Sequence, residues 1–120
     1  MKLLIAALFF SVITNATAKP PEPGSQDAID LAPYSSYLRG LHSPSGLLCC
    51  DLSDCRFVEA KVTNNHWRVL VRKEQFENGP NIWIDVPETA IVRNENPTGQ
   101  PLLCWSPTRG ILCFVQPAGV

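Results

Sequence analysis

The stretch Arg56-Phe57-Val58-Glu59-Ala60-Lys61-Val62-Thr63-Asn64-Asn65-His66-Trp67-Arg68-Val69-Leu70-Val71-Arg72 decides the fold. It contains two alternating runs, 56–63 and 66–72, separated by Asn64-Asn65, and asparagine tolerates the positive φ that a tight primed turn requires. With that dipeptide as a two-residue loop, Val62 pairs with Trp67, Ala60 with Val69 and Val58 with Val71. Every apolar pair then falls on one face, and a slip of one residue destroys the agreement. The opposite face carries Glu59, Lys61, Arg68 and Arg72. Lys61 and Arg68 oppose each other there, a like-charge cost that diagonal Glu59 relieves, and this face is expected to be wet.

Downstream, Asn78-Gly79-Pro80 forms a turn ahead of Ile82-Trp83-Ile84-Asp85-Val86, a third strand with Ile82, Ile84 and Val86 on one face and Trp83 on the other. Pro87 ends it, because proline cannot donate to a ladder. Ala90-Ile91-Val92 reads as a short strand or a 3₁₀ turn, and Asn96-Pro97-Thr98-Gly99 has the residue types of a β-turn. Two nearly all-apolar runs, 102–105 and 111–115, are expected to be strands covered on both sides. If Pro107-Thr108-Arg109-Gly110 is a four-residue hairpin loop, Ser106 meets Ile111 and Cys104 meets Cys113, so their sulfurs can join across the strands. A five-residue loop instead turns these cysteines to opposite faces and frees each to seek partners elsewhere.

Those partners lie upstream, in Cys49-Cys50-Asp51-Leu52-Ser53-Asp54-Cys55. Before this cluster, Pro33 suits a first helical turn, and Tyr34, Tyr37, Leu38 and Leu41 recur at spacings of three and four, predicting a short helix over 33–41 that packs its aromatic face on a sheet. Ser43-Pro44-Ser45-Gly46 stops it. Residues 19–32, rich in proline at the start, are expected to be a flexible leader, and 116–120 a frayed tail. Residues 1–18 read as a secretory signal peptide: Lys2, an apolar run from Leu3 to Ile13, and Ala16-Thr17-Ala18 as the cleavage site. That run is about half of the ~20 residues needed to span a bilayer, so no membrane span is expected in the mature chain.

Without Lys2, 9 Lys and Arg stand against 11 Asp and Glu, and nothing in that balance suggests a nucleic-acid partner. A chain of this size buries roughly 65% of its unfolded surface, enough for one modest core that disulfides would support. The expected fold is therefore mainly β: a small antiparallel sheet or partly open barrel of five to six short strands over 33–115, preceded by one short helix and stapled by disulfides.

Cys49-Cys50-Asp51-x-Ser53-Asp54-Cys55, Trp83-x-x-Val86-Pro87, Asn96-Pro97-Thr98-Gly99 and Cys104-Trp105 followed by Ile111-Leu112-Cys113-Phe114 occur in that order. In these motifs, over about residues 34–115, the chain resembles a group of small exported proteins of proteobacteria. The resemblance implies a single domain and a bacterial envelope address, periplasmic or secreted. It implies no activity, ligand or site.

Five cysteines in an oxidising compartment read first as a disulfide framework with one thiol over. Spacing leaves the pairing open. If Cys104 joins Cys113 and Cys50 joins Cys55, Cys49 is the free thiol. Cys49, Cys50 and Cys55 with His42 form a weaker metal-site alternative, since zinc sites prefer ligands in separated pairs. A thiol nucleophile paired with His42 would make residues 42–55 an enzyme centre, although the usual C-x-x-C at a helix start is missing. Asp51, Ser53 and Asp54 are expected to fix the loop by bonding nearby backbone amides. Trp67 belongs to the core face, whereas Trp83, beside Arg68 or Arg72, suits an envelope protein or a glycan. The expected role is non-catalytic binding without a cofactor.

Overall fold

The structure is a computed structural model and describes residues 21, 24–49 and 54–119. Its elements are α1 (Gln26–Leu31), a 3₁₀ turn (Ala32–Tyr34), α2 (Ser35–Arg39), β1 (Cys55–Phe57), β2 (Ala60–Thr63), β3 (His66–Val71), β4 (Ile82–Asp85), a second 3₁₀ turn (Glu88–Ala90), β5 (Ile91–Val92), β6 (Leu102–Ser106) and β7 (Gly110–Val115). The mainly β class holds, with seven strands in two sheets that do not close into a barrel. One sheet has the order β1-β6-β7-β5 and the other β2-β3-β4.

The β2–β3 hairpin has the expected register. Asn64 and Asn65 take φ of 52° and 64°, and Ala60 pairs with Val69, Lys61 with Arg68, Val62 with Trp67. The run from Arg56 is not one strand, however. Residues 55–57 pair with β6 in the other sheet, and Val58 donates its N–H to Pro101 O at 3.2 Å instead of joining the Val71 row. Val58 and Glu59 are the crossing between sheets, and the alternation of apolar residues is unchanged by it. β4 pairs antiparallel to β3, placing Ile84 beside Val69 and Trp83 beside Leu70.

The four-stranded sheet is a middle layer, which explains why β6 is buried along its whole length. One face packs Leu102, Cys104, Leu112, Cys113 and Val115 under Leu31, Leu38 and Leu41 of the helical layer. Its other face packs Leu103, Trp105 and Phe114 against Val69, Val71 and Val86, with Trp67 tilted on Phe114 at 5.3 Å and Phe76 edge-on to Trp105 at 5.6 Å. Trp67 and Trp105 are therefore core-facing.

The expected helix over 33–41 is shorter and has a predecessor. α1 begins at Gln26, where Ser25 Oγ caps Ala28 N–H, and ends in fully buried Leu31, so the leader gives way to structure earlier than residue 32. Asp27 in the first turn lies 3.9 Å from Arg56 Nε, and buried Arg56 donates through Nη1 to Cys55 O at 2.7 Å, tying α1 to β1. Burial lowers the Arg56 pKa, and the charges of Asp27 and Asp54 oppose that shift.

Two further expectations change at the C-terminal end. The β6–β7 loop is three residues, 107–109, so Ser106 faces Gly110 and not Ile111; a bulge between Cys104 and Trp105 then restores Cys104 opposite Cys113. Gly110 takes φ of 73°, which a glycine adopts without the Cβ penalty. The tail is tied down through residue 118. Ala118 N–H donates to Gly99 O, and Asn96 Nδ2 donates to both Gln100 O and Gln116 O, while Asn96 also closes its own turn by accepting from Thr98.

Candidate functional site

Two features carry chemistry, a row of sulfur and one open sheet face. The row arises from register. Cys55 stands opposite Cys104 across β1 and β6, and Cys104 opposite Cys113 across β6 and β7, so three cysteines line one face of three adjacent strands. The turn at 43–46 sends the chain back antiparallel to itself, with His42 bridged to Leu48 and Cys49 N–H donating to Leu41 O at 2.9 Å. That return places Cys49 beside β7.

The bridges are Cys49–Cys113, with Cα atoms 5.4 Å apart, and Cys55–Cys104, at 4.0 Å. Cys49 is therefore not a free thiol, and Cys104 and Cys113 do not bond each other. The reason is geometric: β1 lies beside β6 and brings Cys55 opposite Cys104, while the returning 42–49 segment brings Cys49 to Cys113, so each central cysteine has a partner from outside the β6–β7 pair. Cys50, Asp51 and Ser53 lie outside the described residues, so their expected roles do too. Asp54 is buried and its backbone O accepts from Trp105 N–H at 2.9 Å, but its Oδ1 has no hydrogen-bond partner among the described residues.

This arrangement takes Cys49 and Cys55 out of the metal and nucleophile alternatives at 42–55, while Cys50 lies outside the described residues. Cys49 and Cys55 are spent in bridges and offer no thiolate to a metal or a substrate. His42 is exposed and its Nδ1 bonds to Gly40 O at 2.8 Å. Among the described residues no group of three His, Cys, Asp or Glu is placed to hold a metal ion. A shallow cleft of about 390 Å³ lies between His42, Ser43, Pro44 and the segment Ile91 to Asn94 along the β5 edge.

The second feature is the outer face of β2-β3-β4. Alternation puts Lys61, Arg68, Leu70, Trp83 and Asp85 on it, with Arg72 and Glu59 at one end. The three residues singled out from sequence, Trp83, Arg68 and Arg72, do lie together on this side, and each is already engaged. Arg68 Nε is 2.9 Å from Asp85 Oδ1, Arg72 Nη2 is 2.7 Å from Glu59 Oε1, and Lys61 Nζ sits 4.1 Å above the centre of the Trp83 ring. Trp83 is half-buried by this cover.

Lys61 is the member of this face that sequence reasoning left out of the surface. The signal was there, since the hairpin register sets Lys61 against Arg68, but only the position of β4 reveals that its ammonium reaches across β3 to Trp83. Among the described residues Lys61 has no carboxylate partner. A second cleft of about 470 Å³, lined by Phe57, Glu59, Arg72, Glu74, Gln75 and Gln100 among others, opens beside the Arg72–Glu59 pair.

No family model, curated protein or solved structure matches this chain. Among the described residues no helix is long and apolar enough to cross a membrane.

Proposed function

We propose that this chain is an exported, non-catalytic binding module of the bacterial envelope, and that the outer face of β2-β3-β4 holds a carboxylate-bearing glycan. The observation that carries the reading is the Lys61–Trp83 pair: a half-buried indole on the outer sheet face under a cation that no carboxylate among the described residues pairs with. An indole face packs well against the C–H face of a sugar ring. The ammonium, moved off the ring by a short change of rotamer, meets the sugar's carboxylate in a charge-assisted hydrogen bond. The exchange is inexpensive, because a cation–π contact at an exposed site is worth about 0.5–1 kcal/mol.

Arg68 and Arg72 have a different part. Asp85 and Glu59 pair with their guanidinium groups, which leaves Lys61 as the cation free to meet a ligand carboxylate. Two buried disulfides support the export half of the reading, because bridges persist in oxidising compartments and are rare in the cytosol.

The test is titration of the protein with an acidic oligosaccharide, such as a short polyuronate, and with its neutral methyl ester, followed by tryptophan emission and by amide shifts in β2, β3 and β4. The acidic sugar should perturb Trp83 and the ester should bind at least tenfold more weakly. Lys61→Ala should abolish the difference between the two. If neither sugar moves Trp83, the glycan reading is wrong.

A further inference from the structure

The four described cysteines occupy the corners of a closed figure. Two opposite sides are the bonds Cys49–Cys113 and Cys55–Cys104. The third side is the cross-strand pair Cys104 and Cys113, directly opposed in the β6–β7 register, where Cα atoms of an antiparallel pair lie about 4.5–5.5 Å apart, inside the usual range for a bridge. The fourth is closed by Cys55 Sγ, which lies 3.8 Å from the backbone O of Cys49. The same four sulfurs have a second pairing, Cys104–Cys113 and Cys49–Cys55, in which one bond joins neighbours in register and the other joins neighbours in sequence.

The two pairings differ in what they tie. The observed bridges span 64 and 49 residues and fasten Cys49 to β7 and β1 to β6. The alternative bridges span 9 and 6 residues and fasten nothing distant. Loop-closure entropy grows as about 3/2 RT ln n, so in an unfolded chain the local partners meet on the order of tenfold more often than the observed ones. The β6–β7 hairpin, with its three-residue loop, adds to that bias by setting Cys104 against Cys113 before any other strand arrives.

We propose that this chain oxidises first to the local pairing and reaches its native bridges by thiol–disulfide isomerisation, which makes it a client of a thiol-bearing exchange catalyst. The exchange is neutral in electrons. A catalyst thiolate attacks Cys55 Sγ of the Cys49–Cys55 bond, forms a mixed disulfide and releases the Cys49 thiolate. Cys49 attacks Cys113 Sγ, the Cys49–Cys113 bond forms, and Cys104 leaves as thiolate. Cys104 then attacks Cys55 Sγ in the mixed disulfide, the Cys55–Cys104 bond forms, and the catalyst thiolate departs unchanged. Each attack runs between neighbouring corners of the figure, and no oxidant or reductant is consumed.

All four cysteines are fully buried in the final fold, so the exchange belongs to the stage before α1, α2 and the 42–49 segment close over the middle sheet. Afterwards these four buried sulfurs are closed to a thiolate arriving from solvent. The inference is independent of the proposed glycan site, which lies on the other sheet.

Trypsin makes the two pairings distinguishable, because it cuts after Arg39, Arg56, Arg93 and Arg109. In the native pairing peptides 94–109 and 110–120 are both joined to peptide 40–56, giving one three-peptide species. In the local pairing 94–109 is joined to 110–120 alone, and 40–56 is released with an internal bridge. The experiment is oxidation of the reduced, unfolded chain carrying Cys50→Ser, so that no thiol of its own remains, with acid quenching, alkylation and mapping over time. Without added thiol the 94–109/110–120 species should appear first, about tenfold ahead of the three-peptide species, and persist. Substoichiometric glutathione should convert it to the three-peptide species with no change in the number of free thiols. The five-cysteine chain, mapped in parallel, guards against a folding defect of the variant. Formation of the three-peptide species without the local precursor, or a local species that added thiol does not convert, overturns the proposal.

Discussion

Cys104 and Cys113 face each other directly across β6 and β7, and each is bonded to a cysteine on its far side, Cys104 to Cys55 and Cys113 to Cys49. The pair at the centre of the row is thereby held between two segments that come from the other end of the domain. Both bridges sit in the core that also holds Leu31, Leu38 and Leu102, so they fasten the 42–49 return to β7 and β1 to β6 beneath the helical layer.

Each bridge should contribute about 4 kcal/mol, since both close loops of comparable length and the entropic gain rises only with the logarithm of that length. Replacing Cys49 and Cys113 together by Ala should therefore cost about as much as replacing Cys55 and Cys104 together. Urea unfolding of the two double variants checks this. The losses should agree within about 1 kcal/mol, and a much smaller loss for either pair would mean that its bridge closes a loop already ordered in the unfolded chain.

The Asn64-Asn65 turn offers a second test. Both residues have positive φ, where asparagine is tolerated and a β-branched residue is not. Asn65→Gly should be neutral or stabilising by up to about 1 kcal/mol. Asn65→Val should cost about 1–3 kcal/mol and broaden the amide signals of Lys61 and Arg68, because a strained turn loosens the register that opposes them. Equal stability of the two variants would show that the turn, and not the residue, adapts.

Tyr37 links pH to the helical layer. Among the described residues its buried hydroxyl has no hydrogen-bond partner, and burial raises the phenol above its ordinary value of 10.0. Above that pH an unfolded tyrosine gives up its proton while the folded one keeps it, so the unfolded state binds fewer protons and stability falls as pH rises. Tyr37→Phe removes both effects. The variant should be as stable as the parent at pH 7 or better by about 1 kcal/mol, since no bond is lost, and its stability should fall less between pH 9 and 11. Chemical denaturation across that range is the measurement; identical alkaline slopes would place the phenol in water.

The hairpin was legible because two independent signals, alternation and a turn dipeptide, agree on one register. The crossing at Val58 and Glu59 was not, since an apolar residue at Val58 fits a continued strand and a change of sheet equally well; only the partner of Val58 N–H, Pro101 O, distinguishes them. The bridges were illegible for a similar reason. The four-residue loop, one of two alternatives read from sequence, opposed Cys104 to Cys113, an opposition that the structure reaches instead through a three-residue loop and a bulge; bonding further depends on where the 42–49 return and β1 lie, which no local pattern encodes. On the outer face Trp83, Arg68 and Arg72 were found by alternation, whereas Lys61 reaches its ring across an intervening strand, beyond the range of any pairing rule.

Gly79 marks where the turn after β3 is most tightly built. A Cβ at this position would come 2.5 Å from the backbone O of Arg72 and 2.7 Å from its carbonyl carbon, and these are main-chain atoms that cannot swing away. The same Arg72 O accepts the N–H of Phe76 at 3.0 Å, and Phe76 O accepts the N–H of Gly79 at 2.9 Å. Gly79→Ala must therefore push the 76–79 segment off the end of β3. Two consequences follow from what that segment holds. Phe76 should retreat from Trp105, blue-shifted core emission should move toward the red, and stability should drop by about 2–3 kcal/mol, in the range of backbone strain combined with a partly opened core. Arg72 should lose its fixed place beside Glu59, so the outer face should become more mobile at that end while the Lys61–Trp83 contact, which spans β3 within its paired rows, stays intact. Amide exchange and tryptophan emission read these separately. A loss confined to stability, with the 72–76 amides still protected, would mean that the turn relaxes outward and leaves Phe76 in place.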